Sequence, residues 1–114
     1  QPTIIKKTSN QMKVVREEIF GPVLVVQTFK EADEAVALAN DSEYGLAAAI
    51  WTENLGQAHQ MAKKIKSGII GLNTAMGADW DVPLGGYKQS GIGRENGREG
   101  LENYLQTKSV FTAI

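Results

Sequence analysis

Short apolar runs alternate with amphipathic stretches through much of this chain. Residues 23–29, VLVVQTF, are rich in β-branched side chains and follow Gly21 and Pro22, which is typical of a buried strand. Residues 30–40, KEADEAVALAN, begin with acidic side chains, which the helix dipole favours in a first turn. Their apolar residues lie at helical spacing: Ala32, Ala35, Val36 and Ala39. The pattern therefore predicts a strand followed by an amphipathic helix.

The same order recurs further along the chain. Residues 45–52, GLAAAIWT, contain consecutive alanines, but a glycine before them and Asn54 after them leave too little length for a helix, so we interpret them as a strand. Asn54 predicts the N-cap of a second helix, and Gly68 is expected at its C′ position. One face of that helix is apolar: Leu55, Ala58, Ala62 and Ile65. Residues 68–73, GIIGLN, predict another buried strand.

Apolar strands joined by amphipathic helices predict βαβ crossovers and a largely parallel sheet, so the expected fold class is α/β. The Gly-rich residues that follow, 74–97, lack periodicity, and a loop of this length in a compact domain is typically functional or disordered. Trp80, Leu84 and Tyr87 argue against disorder. A short helix is expected near residues 98–104, followed by an alternating strand. We therefore divide the chain into residues 1–90 (α/β portion), 91–105 (Gly-rich turn and short helix) and 106–114 (terminal strand).

The charge balance and hydropathy narrow the range of partners. With 114 residues and a formal net charge of −1, the chain fits one domain without a bulk field that would attract nucleic acid or acidic membranes. The apolar runs are too short to span a bilayer, and no secretory signal opens the chain. We therefore expect a cytoplasmic protein that binds neither nucleic acid nor membrane. The start at Gln1, close to an apolar TII, suggests a piece of a longer protein.

The residue content excludes several kinds of site. The chain has no cysteine, which removes disulfides, thiolate metal sites and thiol nucleophiles. Its single histidine, His59, leaves too few ligands for zinc, so no metal site is expected. Because His59 has no partner at ligand spacing on its predicted helix, we interpret it as a structural or solvated residue.

The long loop offers two further candidates. Residues 91–97, GIGRENG, have the wrong glycine spacing for a dinucleotide fingerprint and follow a loop, so we interpret them as a turn entering a helix. Arg94 in this turn could clamp a carboxylate within the chain or across an interface. Asp79 and Asp81 could perform acid–base chemistry, although paired aspartates in a loop more often form turns.

The most unusual stretch is REEIFGPVLVV, residues 16–26, because two carboxylates lead directly into an apolar strand. On an extended segment alternate residues point the same way, so Glu18 and Phe20 could share a face. A carboxylate beside an aromatic ring suits sugar hydroxyls beside a flat heteroaromatic ring. Alternatively, Glu17 and Glu18 pair with Arg16 or Lys13 at the surface. The residues alone leave both interpretations open.

Ordered motifs spread over the whole chain resemble the C-terminal portion of the NAD(P)-dependent aldehyde dehydrogenase superfamily. They are EEIFGPV (residues 17–23), YGLAAAIWT (44–52), GIIGLN (68–73) and PLGGYKQSGIGRE (83–95), followed by GLENYLQTKSV. The resemblance implies the C-terminal part of a catalytic domain, an NAD or NADP cofactor and an aldehyde substrate that is oxidised to a carboxylic acid.

The resemblance also implies roles for individual residues. By position, Glu18 would bind the hydroxyls of the nicotinamide ribose and Phe20 would pack near the nicotinamide ring, with Glu17 as a structural neighbour. Ala78 and Leu84 would line the aldehyde pocket, although PLGG replaces the family's common PFGG and leaves the substrate open. The terminal strand would join a neighbouring subunit in a homodimer or homotetramer, with three apolar residues available for the contact: Val110, Phe111 and Ile114.

The residues that the family uses for covalent chemistry are absent from this chain. The nucleophilic cysteine, the glutamate base and the oxyanion-stabilising asparagine would all precede it, so no catalytic residue is expected here and the isolated chain should be inactive. Two alternatives remain open at this point. One is a non-catalytic interaction module that pairs through its edge strand, and the other is a small nucleotide-binding domain that uses Glu18.

Overall fold

The computed structural model describes residues 1–75, 77 and 79–114. Within these residues the strands are β1 (Thr3–Ile5), β2 (Val23–Val25), β3 (Tyr44–Gly45), β4 (Ala47–Ile50), β5 (Ile69–Leu72) and β6 (Tyr87–Lys88). The helices are α1 (Lys13–Arg16), α2 (Ala32–Asn40), α3 (Leu55–Lys64) and α4 (Gly97–Glu102). No helix of the described residues is long and apolar enough to cross a bilayer.

The strands form pairs, and the two longer pairs are parallel. β4 runs parallel to β5, from Ala47 opposite Ile69 to Ile50 opposite Leu72, and α3 makes the crossover between them. β1 runs parallel to β2, whereas the short β3 and β6 are antiparallel. This arrangement confirms the predicted α/β class with largely parallel pairing. One detail differs, because β2 pairs with β1 rather than extending the β4–β5 sheet.

The core lies where α2 and α3 pack against β4. Its buried hydrophobic side chains are Val36, Ile50, Ala58 and Ile65. The Asn54 side chain accepts a hydrogen bond from the Gln57 N–H at 3.0 Å, which confirms the predicted N-cap of α3. Leu55 is exposed and lies outside the buried face that was predicted for this helix.

Gly68 has a different role from the one predicted. α3 ends at Lys64 with Ile65 as its C-cap, so the C′ assignment of Gly68 is wrong. A Cβ atom on Gly68 would overlap the carbonyl oxygen of Gly85. The absent side chain therefore allows the loop that carries Leu84 to lie directly against the start of β5.

The chain leaves much of its surface uncovered. Its accessible surface is 9512 Å², whereas a compact monomer of this mass exposes about 6,100 Å². Its radius of gyration is 18.7 Å, against about 13 Å for a compact domain of this length. Large apolar side chains contribute to the exposed surface, among them Phe20, Phe29, Trp51 and Trp80. Exposed apolar surface on this scale is typical of a region that packs against other protein.

The end of the chain makes no strand pairing of its own. α4 ends at Glu102, two residues before the predicted end of the short helix, and residues 106–114 belong to no strand. Val110, Phe111 and Ile114 are exposed. Pairing of this segment with a second subunit stays a prediction.

Candidate functional site

Glu18 and Phe20 lie in the loop between α1 and β2. α1 closes with a hydrogen bond from the Glu17 N–H to the Lys13 carbonyl oxygen at 2.9 Å. At the other end of the loop, the Thr3 N–H donates to the Pro22 carbonyl oxygen at 2.9 Å, which joins the loop to the β1–β2 pair. The loop is therefore fixed at both ends, and the two predicted cofactor-binding residues lie between the fixed points.

The two adjacent glutamates have different surroundings. Glu17 pairs with Lys13 at 3.6 Å, one helical turn away, as the surface interpretation predicts. Arg16 instead faces Asp41 at 3.6 Å and Glu43 at 3.9 Å. Within residues 1–75, 77 and 79–114, Glu18 has no ion pair. Its carboxylate is therefore available for another ligand, whereas that of Glu17 faces Lys13 in an exposed ion pair.

Glu18 also lines an open cavity of about 570 Å³. Polar side chains from distant parts of the chain contribute to the same wall: Ser42, Tyr44, Ser67, Gln89 and Ser90. One of them is fixed in place, because the Ser90 hydroxyl oxygen accepts a hydrogen bond from the Gly45 N–H at 2.9 Å. The rest of the lining is apolar and includes Leu46 and Ile65. A carboxylate at the edge of such a cavity can accept hydrogen bonds from ligand hydroxyl groups.

Phe20 has an unusual backbone conformation. Its φ angle is +56°, in the left-handed region that favours glycine, and its side chain is 93% exposed. A non-glycine residue in this region costs about 1–2 kcal/mol, and such strain is concentrated at functional sites. Because the segment is not regularly extended, simple alternation does not determine the direction of the ring. The exposed Phe20 ring therefore lies on a strained loop, two residues after Glu18.

Leu84 lies half-buried on the other predicted part of the site. It forms an isolated antiparallel bridge with Glu95, in which each backbone N–H donates to the opposite carbonyl oxygen at 2.8 Å. Ala78, the other predicted pocket residue, lies outside the described residues. The bridge joins the PLGG segment to the turn before α4, which fixes Leu84 in the loop.

Arg94 supports this loop from its other side. Its Nη1 donates to the carbonyl oxygens of Gly86 at 3.1 Å and Gly93 at 2.7 Å, and its guanidinium lies 5.6 Å from the centre of the Tyr87 ring. The suggested carboxylate clamp is not formed among the described residues. Arg94 instead binds backbone carbonyls and the face of an aromatic ring.

The other candidates from the sequence, Asp79, Asp81 and His59, lie at exposed positions. Asp79 is exposed, and its carbonyl oxygen accepts a hydrogen bond from the Val82 N–H at 3.1 Å, which is a turn contact. Asp81 and His59 are also exposed, as the turn and solvated interpretations predict. No group of acidic, histidine or cysteine side chains that could hold a metal ion occurs in the described part of the chain.

Asn10 was not predicted from the sequence. It is the only buried polar residue among those the structure describes, with 8% of its surface exposed. Its side chain donates to the Leu38 carbonyl oxygen at 3.2 Å and to Asp41 at 3.0 Å. A single asparagine in a polar stretch carries no pattern that distinguishes it from a turn residue. Only the folded arrangement brings it next to the end of α2.

The model of the aldehyde dehydrogenase family matches residues 1–110. The chain belongs to the aldehyde dehydrogenase family. A betaine aldehyde dehydrogenase of Vibrio vulnificus (strain YJ016) is 47% identical over 113 residues, which are 99% of this chain and 23% of that protein.

Solved structures of this family have the same fold. A betaine aldehyde dehydrogenase from Staphylococcus aureus in complex with NAD+ is 48% identical and superposes with a TM-score of 0.92, over 95% of this chain and 21% of that one. An apo mutant form of the same enzyme gives a TM-score of 0.91 over 94% of this chain. The present chain therefore spans less than a quarter of the length of these aldehyde dehydrogenases.

Proposed function

We propose that this chain is the C-terminal segment of an NAD(P)-dependent aldehyde dehydrogenase that oxidises an aldehyde to a carboxylic acid. The observation that carries the proposal is the contrast between Glu17, which is paired with Lys13, and Glu18, which has no ion pair among the described residues and lines an open cavity with both polar and apolar walls. The NAD+ complex of the related Staphylococcus aureus enzyme supports the choice of cofactor.

The segment would hold the nicotinamide end of the cofactor. The bound nicotinamide supplies the hydride acceptor of the reaction. Glu18 accepts hydrogen bonds from the two ribose hydroxyls, and a carboxylate suits this role because it has only acceptor atoms. The exposed Phe20 ring packs against the flat nicotinamide and limits its rotation. Both contacts orient the ring for transfer, which is how positioning lowers a barrier.

The covalent step needs residues that this chain does not contain. The family mechanism uses a cysteine to form a thiohemiacetal, and the sequence has none. The nucleophile, the base and the oxyanion donor therefore come from another part of the full-length enzyme. Leu84 would contribute to the aldehyde pocket from the loop that Glu95 and Arg94 hold in place.

Replacing Glu18 by glutamine (Glu18→Gln) in the full-length enzyme should weaken cofactor binding and slow hydride transfer. A hydrogen bond to a charged group contributes roughly 1.5–3 kcal/mol, which corresponds to roughly a 10- to 150-fold increase in Kd. The Kd for NAD+ is measured by titration calorimetry and hydride transfer by single-turnover absorbance. Glu17→Gln is the matched control and should change both values less than twofold. If the two variants behave alike, Glu18 is a surface residue and the assignment fails.

Enlarging Leu84 to phenylalanine (Leu84→Phe) should change which aldehydes the full-length enzyme prefers. The larger ring fills pocket volume and excludes branched substrates, and changes of this size shift discrimination by roughly 1–3 kcal/mol. The measurement is kcat/KM for a panel that includes betaine aldehyde and branched and unbranched apolar aldehydes. Gln60→Phe is the control, because Gln60 is an exposed polar residue of α3 and lies outside the loop that carries Leu84. An unchanged ranking for Leu84→Phe would mean that its side chain does not face the substrate.

A second candidate function is a non-catalytic module that pairs with other chains. The exposed apolar residues of the terminal segment favour it. The two proposals differ in one measurable respect, because only the first predicts that Glu18→Gln in the full-length protein changes nicotinamide cofactor binding.

A further inference from the structure

Asn10 contacts both ends of the chain segment that carries Glu18 and Phe20. Arg16, two residues before Glu18, donates from Nη1 to the Asn10 carbonyl oxygen at 3.3 Å. Gln27, which follows β2, donates from Nε2 to the Asn10 side-chain oxygen at 2.9 Å. The segment that contains the loop therefore begins at Arg16 and ends at Gln27, and both of these residues hydrogen-bond to Asn10.

Asn10 is in turn anchored to the end of α2. Its Nδ2 atom donates to the Leu38 carbonyl oxygen at 3.2 Å and to the Asp41 carboxylate at 3.0 Å. The other carboxylate oxygen of Asp41 lies 3.6 Å from Arg16 Nη1. Asn10, Arg16 and Asp41 thus form a closed triangle, in which each member contacts both others.

The contact between Asn10 and Asp41 depends on an amide at position 10, whereas Arg16 donates to the backbone carbonyl oxygen of that residue. The side chain uses both Nδ2 hydrogens as donors and its oxygen as an acceptor, and Asn10 is buried. An aspartate of the same shape would lose both donors and would place a second carboxylate beside Asp41. A buried polar network that loses one partner leaves the others unsatisfied, which is costly.

We propose that Asn10 and Arg16 are positioning residues for Glu18, which rests on the proposed function of Glu18 as the ribose ligand. The triangle fixes the C-terminal end of α1 against α2, and Gln27 fixes the strand after the loop. Glu18 then leaves α1 in one direction, toward the cavity that it lines. Without these contacts, the start of the loop is no longer held in one position. The Glu18 carboxylate then reaches the ribose less often in the productive geometry.

The first test is Arg16→Gln in the full-length enzyme, with Arg16→Lys as the conservative variant. Arg16→Gln should raise the Kd for NAD+ about tenfold, because a small misplacement of a binding group has large effects, and the lysine should restore part of the affinity. The KM for aldehyde at saturating NAD+ should change less than twofold. Arg98→Gln is the control, because Arg98 is an exposed arginine that pairs with Glu102 on α4, and it should leave both values unchanged.

The deciding measurement combines Arg16→Gln with Glu18→Gln. If Arg16 acts through Glu18, its substitution should change the Kd for NAD+ less than twofold once the carboxylate is gone. Equal fold-changes in the two backgrounds would show a general structural role and overturn the inference. Asn10→Asp should behave like Arg16→Gln, and Arg16→Gln alone decides the matter if Asn10→Asp does not fold.

If Glu18→Gln weakens NAD+ binding but Arg16→Gln does not, only the inference is wrong. If Glu18→Gln leaves NAD+ binding unchanged, the proposed role of Glu18 fails and the inference fails with it.

Discussion

The isolated chain should reduce no NAD+ in the presence of any aldehyde. It lacks the cysteine that forms the thiohemiacetal, so hydride has no covalent adduct from which to leave. It also exposes 9512 Å² of surface and buries few hydrophobic side chains, so the segment alone lacks the packing that would fix Glu18 and Leu84. The loss of activity relative to the full-length enzyme should be complete.

The measurement is NADH absorbance with a panel of aldehydes over several hours. The full-length enzyme is the positive control and heat-treated chain is the blank. Turnover above the blank that persists after repurification would contradict the family mechanism for this chain, because no thiol is present to carry it.

Deleting residues 108–114 should shift the full-length enzyme toward its monomer. Val110 and Phe111 are 79% and 94% exposed, Ile114 is fully exposed, and the segment forms no strand within the chain. A segment with free N–H and C=O groups and apolar side chains is suited to strand addition in a second subunit. Each apolar side chain that becomes fully buried contributes roughly 1.5–3 kcal/mol to the association.

Light scattering across a concentration series measures the effect of this deletion. Lys108→Ala is the control, since it alters the same segment without removing apolar surface. The control should keep the wild-type mass. If the deletion variant forms an oligomer with the same number of subunits as the wild type, or if the wild-type enzyme is already monomeric, the segment has another role.

The parts of the fold that the sequence predicted correctly are those in which local pattern and packing agree. α2, α3 and the β4–β5 pair follow from apolar spacing and from the Asn54 cap, because a helix and its neighbouring strand bury the same residues that define the pattern. β1 was missed because it has only three residues and exists through its pairing with the distant β2. Such nonlocal pairing leaves no periodic signal.

The site was predictable in its residue types but not in its geometry. The family motif predicted Glu18 and Phe20 as the cofactor-binding residues, yet the residues alone could not separate Glu18 from Glu17. The two glutamates differ in the structure because Lys13 forms an i,i+4 ion pair with Glu17, and because Arg16 pairs with Asp41 and not with Glu18. The positive φ of Phe20 could not be predicted from the sequence either, because glycine and asparagine are the residues that normally indicate this conformation.

A crystal structure of the full-length enzyme with NAD+ would show directly whether Glu18 is the ribose ligand. Both Glu18 carboxylate oxygens should lie within about 3.2 Å of the nicotinamide ribose hydroxyls, and the Phe20 ring should contact the nicotinamide. A bound NAD+ with its ribose held by other residues, and with Glu18 turned to the surface beside Lys13, would contradict this assignment.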